Sequence, residues 1–137
     1  MKNKKLTAQN FTKLKLLGIH CDKIPNKNLS YGVDKSIVHL EVMINNDELC
    51  LLTLSSFGVN QGIQYADPEY MIEINKDDRT ARALTFMNFY SRSQAYDNKG
   101  RLNKVVEEKI CISLSEWLSE LIGQVHSFAK SKMDLVV

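Results

Sequence analysis

Three groups of residues in this chain have side chains that chemistry uses. His20-Cys21-Asp22 combines the base, nucleophile and orienting acid of a thiol catalyst. Neighbouring side chains on an extended chain point to opposite sides, however, so His20 cannot directly activate Cys21. Asp67, Glu69 and Glu73 could offer carboxylates to a hard cation or a basic partner. Glu69 and Glu73 share a strand face but lie ~13 Å apart along it, too far to hold one ion without a third ligand. The third group is Arg82, Phe86, Tyr90 and Arg92, which share parity on one long expected strand, with Arg79, Lys99, Arg101 and Lys104 nearby. Bases interleaved with aromatics on an open sheet are how single-stranded nucleic acid is stacked and neutralised. The same residues suit a plainer role, with Phe86 and Tyr90 under helices and the arginines paired with Glu69, Glu73, Asp77 or Asp78 across a hairpin.

Beyond these groups the chain is spare. It has no Walker loop, GxGxxG, GxSxG, HExxH or paired CxxC, and its six glycines are isolated. His39 and His126 lack ligand spacing. Cys21, Cys50 and Cys111 are too few and too far apart for a disulfide framework or a zinc knuckle, and read as buried thiols. The expectation is no catalytic site, no cofactor and no metal, with the balance against an enzyme.

The chain has 137 residues, enough for one domain (1–137) with a core that needs no disulfide or metal. No apolar run reaches the ~18 residues of a membrane span. Met1-Lys2-Asn3-Lys4-Lys5 imitates a signal n-region, but Gln9, Asn10, Lys13 and Lys15 interrupt Leu6 to Leu17, where an apolar h-region would have to lie. A cytoplasmic location is the expectation. Net charge is only +2 but falls in blocks: +6 over residues 1–27, −7 over 28–78, +5 over 79–104 and −2 over the remainder. Such blocks either pair across a fold or make a dipolar surface that steers a charged partner.

The elements that must position these residues can be read from periodicity. Thr7 to Leu17 reads as a short amphipathic helix with Phe11, Leu14 and Leu17 on one face, Thr7 as N-cap and Gly18 as C-cap. Residues 19–32 read as a loop. Val38, Leu40, Val42 and Ile44 form one face of a strand, Asn45 to Glu48 turn the chain, and Leu49 to Leu54 return it. Ser55 to Glu69 reads as a long connection. Tyr70 to Ile74 and Thr80 to Tyr90 are further strands, and a short fifth runs through Gln94 to Tyr96. From Asn103 the period changes to about 3.6, with Ile110, Leu114, Trp117, Leu118, Leu121, Val125 and Phe128 in one stripe to about Lys130. Ser113 and Glu116 fit a capping box, so that helix could break near Ile112. The β-branched Val105, Val106, Ile110 and Ile112 leave 105–112 open between helix and strand. Residues 1–5 and 133–137 are expected to fray. The fold class is therefore α+β: an N-terminal helix, an antiparallel β-meander of four to five strands, and a long C-terminal helix packed on one sheet face.

One stretch has an order of residues that no chemistry demands: Ser56-Phe57, Asn60-Gln61-Gly62, Asp67-Pro68-Glu69, then an alternating strand from Tyr70 to Ile74. Phe86-Met87-Asn88 and a closing Trp117-Leu118 pair come after it. Over roughly residues 36 to 125 this pattern resembles an uncharacterised family of short proteins from bacteria, phages and mobile elements, a domain of unknown function. Two positions depart from that pattern. Ser56 stands where the family often has His, and Ile63 where it often has an acid. The resemblance implies an α+β fold and a phage or mobile-element setting, and no activity.

The expectation is thus a non-enzymatic accessory factor that binds a host or element-encoded protein. Its contact surface would be the Ser55–Glu69 segment, with Phe57, Asn60, Gln61, Gln64 and Tyr65 at its centre, since a long ordered loop in a small domain is usually functional. The alternative is a nucleic-acid module using Arg82, Tyr90, Arg92 and Arg101. A small enzyme with its site under the long loop stands behind both.

Overall fold

The computed structural model describes residues 2–20, 28–33 and 36–123. Among these residues, two helices cover one face of a six-stranded antiparallel sheet. The strands lie in chain order: β1 (Asn28–Val33), β2 (Ser36–Asn45), β3 (Leu49–Asn60), β4 (Ile63–Asn75), β5 (Thr80–Met87) and β6 (Arg92–Gln94). The α+β meander between two helices is as expected, with one strand beyond the upper count. The extra strand is β1, inside the stretch read as a loop. It pairs with β2 from Asn28↔Glu41 to Val33↔Ser36, a tertiary partnership that Asn28 and Gly32 disguise in the sequence.

Helix α1 (Lys2–Leu16) begins five residues before Thr7, so Lys2 to Lys5 are helical and Thr7 is not the cap. The Thr7 hydroxyl instead donates back to the Lys4 carbonyl. The C-terminus is as expected. Gly18 takes φ +90°, its amide bonds Lys15 O, and the Ile19 amide bonds Leu14 O, the Schellman arrangement. Helix α2 (Lys104–Gly123) starts at an Asn103 cap whose Oδ1 accepts the Val105 and Val106 amides at 3.1 and 3.2 Å. It runs through 105–112 without a break. Ser113 caps nothing; its hydroxyl bonds that of Tyr70. No helix among the described residues is long and apolar enough to cross a membrane.

The core fills the space between helices and sheet. Leu40, Leu52, Leu54, Ile72 and Ile74 from the sheet meet Leu14 of α1, Leu17 just after it, and Leu114 and Leu118 of α2, all at most 2% exposed. Ala81 and Ala83 are small residues buried beneath the helices, and α2 comes close enough over Ala83 for its amide to reach Cys111 Sγ at 3.4 Å. Cys50 and Cys111 are buried thiols, as expected, and burial pushes the Cys111 thiol up. Cys21, Asp22, His126, the helix beyond Gly123 and the 133–137 tail lie outside the described residues.

Three β-bulges correct the strand faces. Met43 is extra on β2, so Ile44 turns away from the face of Val38 and Leu40 and is 45% exposed. Leu84 is extra on β5, so Arg82 lies opposite Glu73 while Phe86 lies opposite Tyr70, on the other face. Asp67 and Pro68 together face Ser56, so the Asp-Pro-Glu element lies inside β4 at a bulge, where a strand tolerates proline. It does not begin the strand. β5 stops at Met87, leaving Tyr90 in a turn, and β6 is Arg92–Gln94, with Tyr96 forming only an isolated bridge to Leu102.

Candidate functional site

The expected Ser55–Glu69 loop is a β-hairpin. β3 runs on past Leu54 to Asn60, and β4 starts at Ile63. A two-residue turn joins them, with Gln61 at φ +53° and Gly62 at φ +80°. Both positive angles suit the tight hairpin turn that matches strand twist. Pairing of β2 with β3 ends at Val38↔Ser56, and pairing of β4 with β5 ends at Glu69↔Met87. The pairs Phe57↔Ala66, Gly58↔Tyr65, Val59↔Gln64 and Asn60↔Ile63 therefore form a two-stranded ribbon that projects beyond its neighbours, ~13 Å long.

Aromatic contacts brace the ribbon's root on both faces. The Phe57 and His39 rings meet edge to face at 5.0 Å. On the other face Tyr65 lies across Gly58 and meets Phe89 at 4.6 Å and 89°. Phe89 in turn contacts Tyr90 at 5.1 Å. These two rings come from the turn after β5, which Asn88 holds by accepting the Tyr90 and Ser91 amides. Farther out, Val59 is 70% exposed and Ile63 is 71% exposed, one on each face. Gln61 and Gln64 are also exposed.

No Lys, Arg, Asp, Glu or His occurs between Glu48 and Asp67. Free strand edges in proteins are usually blunted by charge, proline or a bulge. Along the projecting part neither edge carries any of these until Asp67-Pro68. The ribbon can thus offer backbone amides and carbonyls, two glutamine side chains and an aliphatic tip. It holds no nucleophile, and no metal-holding group of His, Cys, Asp and Glu exists among the described residues.

The four residues of the nucleic-acid expectation do not form one stripe. Arg82 is held internally: Nε to Glu73 at 3.0 Å, Nη1 to Glu107 at 2.7 Å and Nη2 to the Tyr96 hydroxyl at 2.7 Å. Burial alone would lower its pKa, but the Tyr96 and Glu73 contacts reverse that and hold it above the ordinary arginine value. Arg101 pairs with Asp97 at 2.9 Å on an exposed loop. Arg92 reaches Met87 Sδ and is exposed, and Tyr90 is 93% exposed. Only these last two share a corner, beside the ribbon root. Asp67, Glu69 and Glu73 form no cation site, since Glu73 is engaged by Arg82. His20 lies beyond the Gly18 cap of α1, half-buried.

Phe57, Gln61, Gln64 and Tyr65 do fall on one protruding element, and Asn60 precedes its turn. Sequence reasoning missed Val59, Ile63 and Phe89. The signal for the first two was the uncharged run itself, which alternates too weakly to be read as strand. Phe89 had none, because its place beside Tyr65 depends on where β5 ends. No family model matches the chain, nor does any curated protein or solved structure.

Proposed function

We propose that this chain is a non-enzymatic protein-binding factor that docks through the β3–β4 ribbon. The supporting observation is an uncharged hairpin that projects beyond its sheet, with Val59 and Ile63 70% and 71% exposed at its tip. An open edge with aliphatic side chains suits strand addition, in which main-chain bonds give affinity and alternate side chains give selectivity. A partner strand would take up the unpaired backbone groups, and the tip residues would enter shallow apolar pockets on that partner. The phage or mobile-element setting belongs to this proposal on the sequence pattern alone, with a host or element-encoded protein as the partner.

The test is affinity capture from the native host with the wild-type protein and with a Val59→Lys/Ile63→Lys double variant. Both positions are exposed, so the variant should melt with the wild type. A specific partner recovered by the wild type and lost by the variant supports the docking role. Undiminished capture by the variant, or no specific partner, removes it. Oligonucleotide binding that is steeply salt-dependent and lost on Arg92→Ala would move the assignment to nucleic acid.

A further inference from the structure

A second surface, distant in character from the ribbon, lies on α1. This helix has five lysines and no acid. Its outward ridge is Ala8, Thr12 and Leu16, spaced by four, and Leu16 is 62% exposed. A groove flanks the ridge on each side. One, of about 570 Å³, lies between α1 and the β4–β5 turn, where Phe11, Lys15, His20 and Arg79 line it. The other, of about 580 Å³, is bounded by Lys5, Gln9 and Lys13. Ala8, Thr12 and Leu16 line both.

The charge in the first groove is mostly positive, with Lys15 and Arg79 against Asp78. Lys15 Nζ stands 5.7 Å from the Phe11 ring centroid and Arg79 Cζ 5.8 Å from it, so two cations share one ring. Neither makes an ion pair among the described residues. Arg79 adopts φ +58°, rare for a residue with a side chain, in a turn fastened by Asn75 Oδ1 to the Asp78 amide. Asp78 is the one acid lining either groove among the described residues.

We infer that this face docks an acidic amphipathic segment of a partner protein. The segment's apolar side chains occupy the grooves beside Leu16 and Phe11, and its carboxylates face Lys15 and Arg79. Charge complementarity selects an acidic partner. The apolar ridge selects a peptide over a nucleic-acid backbone, which would leave Leu16 and Ala8 without a use. The protein then has two docking surfaces of different chemistry, one uncharged and one cationic, and can hold two partners at once.

The probe is a fluorescein-labelled synthetic peptide with Leu and Phe on one helical face and Glu elsewhere, read by anisotropy at low and physiological salt. Controls are the same peptide with Leu and Phe replaced by Ser, and a labelled oligo-dT. The expectation is binding that weakens with salt, exceeds both controls, and falls about tenfold on Arg79→Gly or Leu16→Ser. Glycine suits the left-handed backbone at 79, so that variant keeps its fold. Ile63→Lys in the ribbon leaves the affinity unchanged. No binding at low salt overturns the inference. So does equal binding of the Ser peptide or of oligo-dT, or indifference to both substitutions.

Discussion

Gly58 lies directly beneath the ring of Tyr65: a Cβ at position 58 would stand 2.7 Å from both Cζ and Oη of that ring. Only a residue without a side chain lets Tyr65 lie across the hairpin and reach Phe89. Gly58→Ala is therefore expected to cost about 1–3 kcal/mol, the usual range for forced overpacking. In a Tyr65→Ala background the same substitution should cost almost nothing. Urea unfolding of the four proteins in that cycle measures the coupling. Additive effects would mean that the ring moves aside freely.

Arg82 joins β4 to the first turn of α2 through Glu73 and Glu107. The Glu107 side chain is 9% exposed and that of Arg82 27%. Arg82→Ala takes the guanidinium away from a nearly buried carboxylate and is expected to cost about 2 kcal/mol, below the figure for a fully buried pair because the guanidinium keeps some water. Arg82→Lys should recover only part, since a single ammonium nitrogen cannot span acceptors that Nε, Nη1 and Nη2 reach from three separate positions. Denaturation midpoints would show a loss near zero if the network were ornamental.

Tyr70 supplies a pH dependence. Burial raises its pKa above the ordinary value of 10.0, the Ser113 hydrogen bond works in the opposite direction, and Glu116 and Glu120 further oppose a phenolate. A folded pKa above the unfolded one means that the folded protein holds the proton more tightly. This contribution is complete below pH 10.0 and is lost as pH rises from there through the folded value. Tyr70→Phe should therefore lose about 1 kcal/mol at neutral pH, the net worth of the hydrogen bond to Ser113, and show a shallower alkaline decline. Thermal melts between neutral and strongly alkaline pH measure both.

Asn10 sits at the α1–α2 interface, 0% exposed. Its Nδ2 donates to the Cys111 carbonyl at 3.2 Å, while its Oδ1 accepts no hydrogen bond from any described residue. A buried acceptor left unpaired opposes folding. Asn10→Leu, similar in shape, is expected to raise stability by about 1 kcal/mol. A lower melting temperature would show that the amide is needed to seat α1 on α2.

The apolar stripe of α2, the turn at Asn46, the Gly18 cap and the order of the meander could all be read from residue pattern. Each depends on a few neighbouring residues and on physics that acts locally. The parts that could not be read depend on pairing at a distance. β1 contains turn-forming Asn28 and Gly32 and is a strand because β2 lies beside it. Pro68 looks like a strand breaker, yet it falls at a bulge where its missing amide costs no ladder bond. The bulges at Met43 and Leu84 reverse the parity on which the Ile44 face and the Arg82–Tyr90 stripe were built. The candidate site was half legible: its location could be read, but not its form, since whether an uncharged run is a loop or a ribbon is decided by the register of its flanks.

The hydrogen bonds from Asn10 to Cys111 and from Lys13 to Ser115 join segments about a hundred positions apart. Each strand, by contrast, pairs only with its predecessor or successor. During synthesis the sheet can assemble as the chain emerges, because every closure is short. The first helix can settle against the sheet early, but its seat on the last helix is missing until that helix leaves the ribosome. Until then the part of the face of Leu52, Leu54, Ile72 and Ile74 that α2 covers stays open, and that interval is when the nascent protein has most need of a chaperone.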